Sequence, residues 1–460
     1  MNRDTIDAKY KWDLTQIFKS TEEFEECYKK AENLIEDFKK YENIMGENAK
    51  NFYETINTYY KISRILDKLY AYTSLLSDTD TSNNTYQSLK IKVSNLLDKW
   101  SKASFFVTPT ILKKNEQEIE KYYIEEPKLK DYEIILKREF RYKEHTLSDE
   151  EEKLLSNLTK MLNNNHQTYE LLKDSDLTFG TILDANEKEV ELTESNYSIY
   201  IESKDRRVRK DAFQLLYKSY KQFSNSFAST LSGNINENIT ISRIKKYNSA
   251  IEWSLYHDEL DETIYNNLID TVSNNMNILY KYYSLKKEML KLDELHIYDI
   301  YAPIVKDFNK DYPYEEAKKI VLNALSVLGE DYISVLENGL NNNLVDVYPT
   351  KSKATGGYSS IGYDTRPYIL LNYQDKYTDI SALAHEAGHS MHSYYAKKNN
   401  PYQYGYYSIF VAEVASTTNE ILLAKYLLKI SNNKEEKLSI LDNLMNLQTN
   451  NVCRIWTSNL

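Results

Sequence analysis

Apolar positions recur three and four apart through most of the chain, and that spacing turns one face of an α-helix into a core. The first such stripe is Phe24, Cys27, Tyr28, Ala31, Leu34 and Ile35. A helical pair is predicted at about 53–78 and 84–106, with Lys11-Trp12-Asp13-Leu14 ahead of all three as an extended arm. Ser148 reads as a helix cap, with Glu151 closing a capping box. Long helices are expected from the 205–210 cluster to about 242 and over 261–292, and a shorter one over 314–328.

The helical pattern gives way in two places. Residues 177–182 and 188–192 flank a polar Asp184-Ala185-Asn186 turn, which predicts a β-hairpin. The second place is 345–373, where Gly356, Gly357 and Gly362 precede the apolar run 368–373, a candidate buried strand. Backbone of this kind offers an edge to which an extended peptide can add as a further strand, through Gly356, Gly357 and Tyr358. An ordinary hairpin turn fits the same residues. Pro109 and Pro127 bracket a soft boundary, so the expected divisions are 1–110, 111–195 and 196–460.

Composition narrows the function classes. Ten Gly and 7 Pro in 460 residues leave long helices uninterrupted. A net charge of -11 and no long basic stripe argue against a nucleic-acid partner. The densest basic cluster, residues 205–210, reads as a solvated helix start with neighbouring acids rather than a phosphate site. No run of about 18 apolar residues occurs, so no membrane partner is expected. Cys27 and Cys453 lack metal-ligand spacing, and the polar first residues resemble no signal peptide, which makes the cytoplasm the expected location.

The candidate chemistry lies at Ala384-His385-Glu386-Ala387-Gly388-His389-Ser390-Met391-His392. Two histidines four apart share a helix face and can reach one ion, while the intervening glutamate sits on the flank, where it can take a proton from metal-bound water. By chance the pattern arises in about one chain in a hundred of this length. Gly388 inside a helix costs about 0.5–1 kcal/mol relative to Ala and implies close approach of another element. Thr378 or Asp379 is the expected cap. His392 faces the same side but a turn too far for tetrahedral geometry, so it is placed beside the ligands or in the core. Glu413 and Glu420, seven apart in 409–420, are the candidates for the remaining ligand. A carboxylate among Phe410, Val411, Ala412, Val414 and Ala415 is costly to bury unless it coordinates a metal, which favours Glu413. Glu420 then partners an imidazole, and a plain ion pair at Glu413 fits the periodicity equally.

The segments 385–392 and 410–420 resemble the two signatures of oligoendopeptidase F, of the thimet-oligopeptidase-like zinc peptidases. So do Trp12-Asp13-Leu14, the 205–217 helix, 353–358 and 367–373. The resemblance implies a mainly α, elongated two-lobed body with a central channel and a small β element near the zinc-binding helix. It implies one Zn2+ per chain held by His385, His389 and Glu413, with Glu386 as general base. Residues 111–195 would be the family's N-terminal-type lobe and 196–460 its zinc peptidase domain. Expected partners are short peptides cleaved at internal bonds; a zinc carboxypeptidase, dipeptidyl carboxypeptidase or inactive peptide-binding remnant is the alternative. Two departures stand out: Ala354 replaces a residue that is usually basic, and the tail 450–460 does not match. Family members run longer, and the expectation is a C-terminally truncated chain that binds zinc and peptides but turns over slowly or not at all.

Overall fold

A computed structural model describes residues 3–162, 164–305 and 310–457, with side chains left out at some of them and from 447 onward. The tail read above as departing from the family, and Cys453 within it, lie outside the described side chains. Apart from two small sheets, the described elements are helical, so the mainly α class with a small β element is what the molecule has. By contact the chain forms two units, residues 1–143 with 310–430 and residues 144–309 with 431–460.

The first unit begins with α1 (Thr21–Phe38), α2 (Ala49–Thr79) and α3 (Asn84–Ser104), capped by Ser20, Asn48 and Asn83, whose side chains accept from the first-turn amides. Phe24, Tyr28, Ala31, Ile35 and Phe38 of α1 are buried at the three-four spacing read above, and they join Ile62, Leu66, Val93, Leu96 and Trp100 in one core. The N-terminal arm lies between two short 3-10 turns, Ala8–Tyr10 and Leu14–Gln16. Its Trp12 is buried edge-on against Tyr368, ring centroids 5.9 Å apart. That contact ties the start of the chain to a three-stranded sheet.

The sheet runs Val345–Asp346, Tyr368–Leu370, Tyr358–Ser360 in spatial order. The central strand is fully buried, parallel to the first and antiparallel to the third. In the first strand Asp346 is buried with two cations: Arg3 binds both its oxygens, and Lys353 Nζ lies 2.8 Å from Oδ1. Burial would raise an aspartate, but these two cations more than offset it and hold Asp346 below its ordinary value. The helix Tyr377–Asn399 follows the sheet. Its cap is Lys376 rather than Thr378 or Asp379. Asp379 stands at the third helical position, where Oδ2 accepts from the amides of Gln374 and Lys376 at 2.9 Å each. Asp379 thus satisfies orphan donors from inside the helix instead of from its edge.

The second unit contains the predicted hairpin, Thr181–Leu183 against Glu189–Glu191, and the Ser148–Glu151 capping box. The two long helices expected there are each broken, at Phe223 and Asn275, into Arg206–Gln222 plus Ser224–Ile244 and Glu262–Asn274 plus Met276–Met289. The basic cluster is a helix start capped by Asp205, with Arg207 and Lys210 exposed and Arg207 beside Asp205 and Asp211, but one of its cations is not solvated. Arg209 is buried and, with Arg206, grips the fully buried Asp299, Arg209 Nη2 lying 2.8 Å from Oδ1. A buried carboxylate needs such partners.

Candidate metal centre

The helix Tyr377–Asn399 presents His385 and His389 one turn apart, with Nε2 atoms 3.1 Å from each other. A second helix, Ile409–Ile430, packs against it. Gly388 makes that approach possible. A Cβ there would lie 2.6 Å from Ser416 Cα and 2.7 Å from the Ala415 carbonyl oxygen, closer than any side chain tolerates. Asn419, buried, locks the pair by donating to the Ala384 carbonyl at 3.0 Å.

This contact fixes both glutamates. Glu413 Oε2 stands 3.3 Å from His385 Nε2 and 3.5 Å from His389 Nε2. Glu420 Oε1 is 2.9 Å from His385 Nδ1. A proton held between Nδ1 and Glu420 leaves Nε2 of His385 with its lone pair outward, the form a metal needs. Four donors placed about 2.0–2.1 Å from a common ion in a tetrahedron are about 3.3 Å apart. The three separations here match that figure, and the donor set is one that suits a divalent transition metal. The residues therefore fit a bound ion.

The reason inferred for Glu413 from its apolar neighbours is not the one at work. Its side chain is 57% exposed, and Phe410 and Val414 are exposed beside it. Ser416, fully buried, holds it instead, donating to Oε2 at 2.7 Å. Ser416 and Asn419 are the residues that sequence reasoning passed over. The signal in the chain is their spacing, since Ser416 and Asn419 stand three apart and three and six beyond Glu413, on one helix face.

Glu386 is the opposite case. It is 7% exposed, and its Oε2 has no partner. Burial pushes its carboxyl up to about 7, against the opposing pull of His385. For His385, burial favours the neutral ring, but the hydrogen bond and charge of Glu420 outweigh it and raise the imidazole. His389 is lowered, chiefly by burial.

His392 does not join the three clustered ligand atoms. It stacks on Tyr407 with centroids 3.6 Å apart, and its Nδ1 is buried without a partner. Gly356 and Gly357 are exposed at the start of the outer strand, Gly356 with φ +80. A Cβ on Gly357 would lie 4.0 Å from Glu386 Oε1, so this backbone passes close to the carboxylate. Tyr358 does not face that way: its hydroxyl donates to Asp78 Oδ2 at 2.7 Å.

Helix, histidines and buried glutamate together are those of a metallopeptidase. The model of peptidase family M3 matches residues 199–455, and that of oligopeptidase F matches residues 111–179. Oligopeptidase PepF of Bacillus subtilis is 40% identical over 96% of this chain and 66% of its own length. Group B oligopeptidase PepB of Streptococcus agalactiae is 34% identical over 96% of this chain and 74% of its own. Among solved structures, one from Chlamydophila abortus aligns with TM-score 0.85 at 32% identity, covering 97% of this chain and 75% of that one. Oligoendopeptidase-F of Enterococcus faecium aligns with TM-score 0.66 at 30% identity, covering 95% and 75%. The chain belongs to peptidase family M3, with the metalloendopeptidases of the oligoendopeptidase F type. It spans about two thirds to three quarters of the length of the relatives it matches.

Proposed function

We propose that this chain is a zinc-dependent endopeptidase that hydrolyses internal bonds of short peptides. His385, His389 and Glu413 would hold one zinc ion, and their mutual separations carry this reading. Bound there, zinc supplies Lewis-acid polarisation of a carbonyl and a lowered pKa for an attacking water. The protein's own part is proton transfer and orientation. Glu386, buried and with one free carboxylate oxygen, takes the proton of the water and returns it to the leaving amine. Burial raises this carboxyl, which favours its taking up a proton. Glu420 keeps His385 in the tautomer that binds through Nε2. The exposed Gly356-Gly357 backbone and the outer strand beside Glu386 take the peptide main chain.

Nothing in this arrangement calls for a nucleic-acid or membrane partner, and among the described residues no helix is long and apolar enough to cross a membrane. The cytoplasm, where short peptides are degraded, is the location this reading assigns. Mass spectrometry of the products from a set of short peptides, run beside metal analysis of the purified chain, tests the proposal. It predicts about one zinc per chain and internal fragments. Release of one or two residues from the C-terminus would instead make it a carboxypeptidase. Zinc without cleavage would make it a peptide-binding protein.

A further inference from the structure

Two helices of the second unit meet through matched pairs of residues four apart. The helix Met276–Met289 brings Tyr282 and Lys286, and the helix that starts at Lys434 brings Asp442 and Asn446. Residues at i and i+4 share a helix face, so the four side chains form one cluster. The Tyr282 hydroxyl lies 2.8 Å from Asp442 Oδ1 and 2.9 Å from Asn446 Oδ1. Lys286 Nζ lies 3.4 Å from the same asparagine oxygen and 3.9 Å from Asp442 Oδ1. The other oxygen of Asp442 accepts from the Ile304 amide at 3.2 Å, which fixes the carboxylate in place.

Lys286 is the unusual member. It is 0% exposed, and an ammonium has three protons to place. Lys353, with a side chain equally buried, donates to the carbonyls of Asp346, Tyr348 and Leu371 and has Asp346 Oδ1 at 2.8 Å. Among the described residues, Lys286 has only the long contact to Asn446, and its carboxylate stands beyond hydrogen-bond distance. A buried charge so poorly paired is costly, and a lysine responds by giving up its proton. Burial accordingly lowers Lys286 below its ordinary value; Asp442 pulls the other way, and Arg209 adds to the lowering. A neutral lysine amine is a nucleophile. The group in front of this one is the carbonyl of a primary amide.

We propose that Lys286 and Asn446 are joined by an intramolecular isopeptide bond, formed by the chain itself with Tyr282 and Asp442 handling the charge and the proton. Nζ attacks Cγ of Asn446, one C=O bond length of about 1.2 Å behind the oxygen it faces. The Nζ–Cγ bond forms, Oδ1 takes the electron pair, and the Tyr282 hydroxyl donates to that oxygen from 2.9 Å. Asp442 accepts a proton from Nζ and passes it to Nδ2. The Cγ–Nδ2 bond then breaks and ammonia leaves. Amine plus primary amide gives secondary amide plus ammonia, so the step consumes no oxidant, nucleotide or metal. The product removes the poorly paired amine from the interior and ties together two helices through residues 160 positions apart. It is separate from peptide hydrolysis, since His385, Glu386, His389 and Glu413 all belong to the first unit.

Mass spectrometry of the full chain, purified and denatured, tests the proposal without any variant. The intact chain should be lighter than its sequence by one ammonia. Trypsin should fail to cut after Lys286 and should release a branched peptide that carries residues 286 and 446 together. Full sequence mass, with the two residues in separate linear peptides, overturns the proposal. So does a loss of ammonia traced by fragmentation to a cyclised asparagine in a linear peptide. Two variants then separate the roles. Asn446→Ala should have the full mass of its own sequence and regain the cut after Lys286. Asp442→Asn keeps the size of the side chain but cannot take the proton, and it should lose the branched peptide. A branched peptide at wild-type yield in Asp442→Asn would overturn the part assigned to Asp442.

Discussion

The helix Tyr377–Asn399 has two working faces, and they are built differently. One meets the helix Ile409–Ile430 through Gly388, Ser416 and Asn419, a backbone-to-backbone contact with no room for a methyl group. The other meets the outer strand through the Ser359–Ser390 pair and Lys397, contacts made by side-chain tips and carbonyls. Rigid packing holds the metal ligands, where a displacement of a few tenths of an ångström changes coordination. Polar clips hold the side proposed to take the peptide. The lesson is that tightness follows the tolerance of the chemistry on each face.

Removing a ligand should break the metal face outright. Glu413→Ala or His389→Ala is expected to abolish zinc retention and peptide cleavage together, as read by metal analysis and a fluorogenic peptide. Glu420→Gln should be milder. It keeps the size of the side chain but removes the charge that holds the His385 proton, so zinc affinity should fall about 10- to 100-fold, measured by competition with a chelator. Gly388→Val tests the packing itself. Forcing a branched side chain against Ser416 should cost about 1–3 kcal/mol in unfolding free energy, more than any gain in helix propensity. A Tm equal to that of the wild type would deny the close contact its role.

The smallest expected effect lies on the strand face and depends on pH. Burial lowers the Lys397 ammonium to about 8, against the opposing charges of Asp67 and Asp364. Below that pH both folded and unfolded chains carry the proton, and the cost of burying the charge is fully present. As pH rises from about 8 toward 10.5, the folded chain sheds the proton first, so this residue's contribution to stability rises. The difference in Tm between wild type and Lys397→Met should therefore move in favour of the wild type between about pH 7.5 and 9.5. A difference that stays constant across this window contradicts the buried, shifted lysine.

Much of the metal face was legible in the chain. The i, i+4 histidines, the glutamate after the first, the helical Gly388 and the two glutamates seven apart all lie within 36 residues, 385–420, where local periodicity fixes relative placement. The strand face was not, because its links join residues 359 and 390, or 361 and 397, and serines at such separations carry no pattern. The same limit explains the basic cluster. Arg209 looks like a solvated charge until Asp299, ninety positions away, is placed against it. It also explains Glu413, correctly singled out for a reason the structure does not bear: its neighbours' apolarity said burial, whereas the helix turns them outward. The breaks at Phe223 and Asn275 leave no mark at all, since neither involves Gly or Pro.

In the proposed reaction the proton is moved by Glu386. The most direct test compares turnover of an internally quenched peptide by the zinc-loaded wild type and by Glu386→Gln, which preserves shape and leaves the three ligands untouched. Cleavage by the wild type, reduced by about 10²–10⁴ in the variant at equal zinc content, is the predicted result. Equal rates in the two proteins would contradict it.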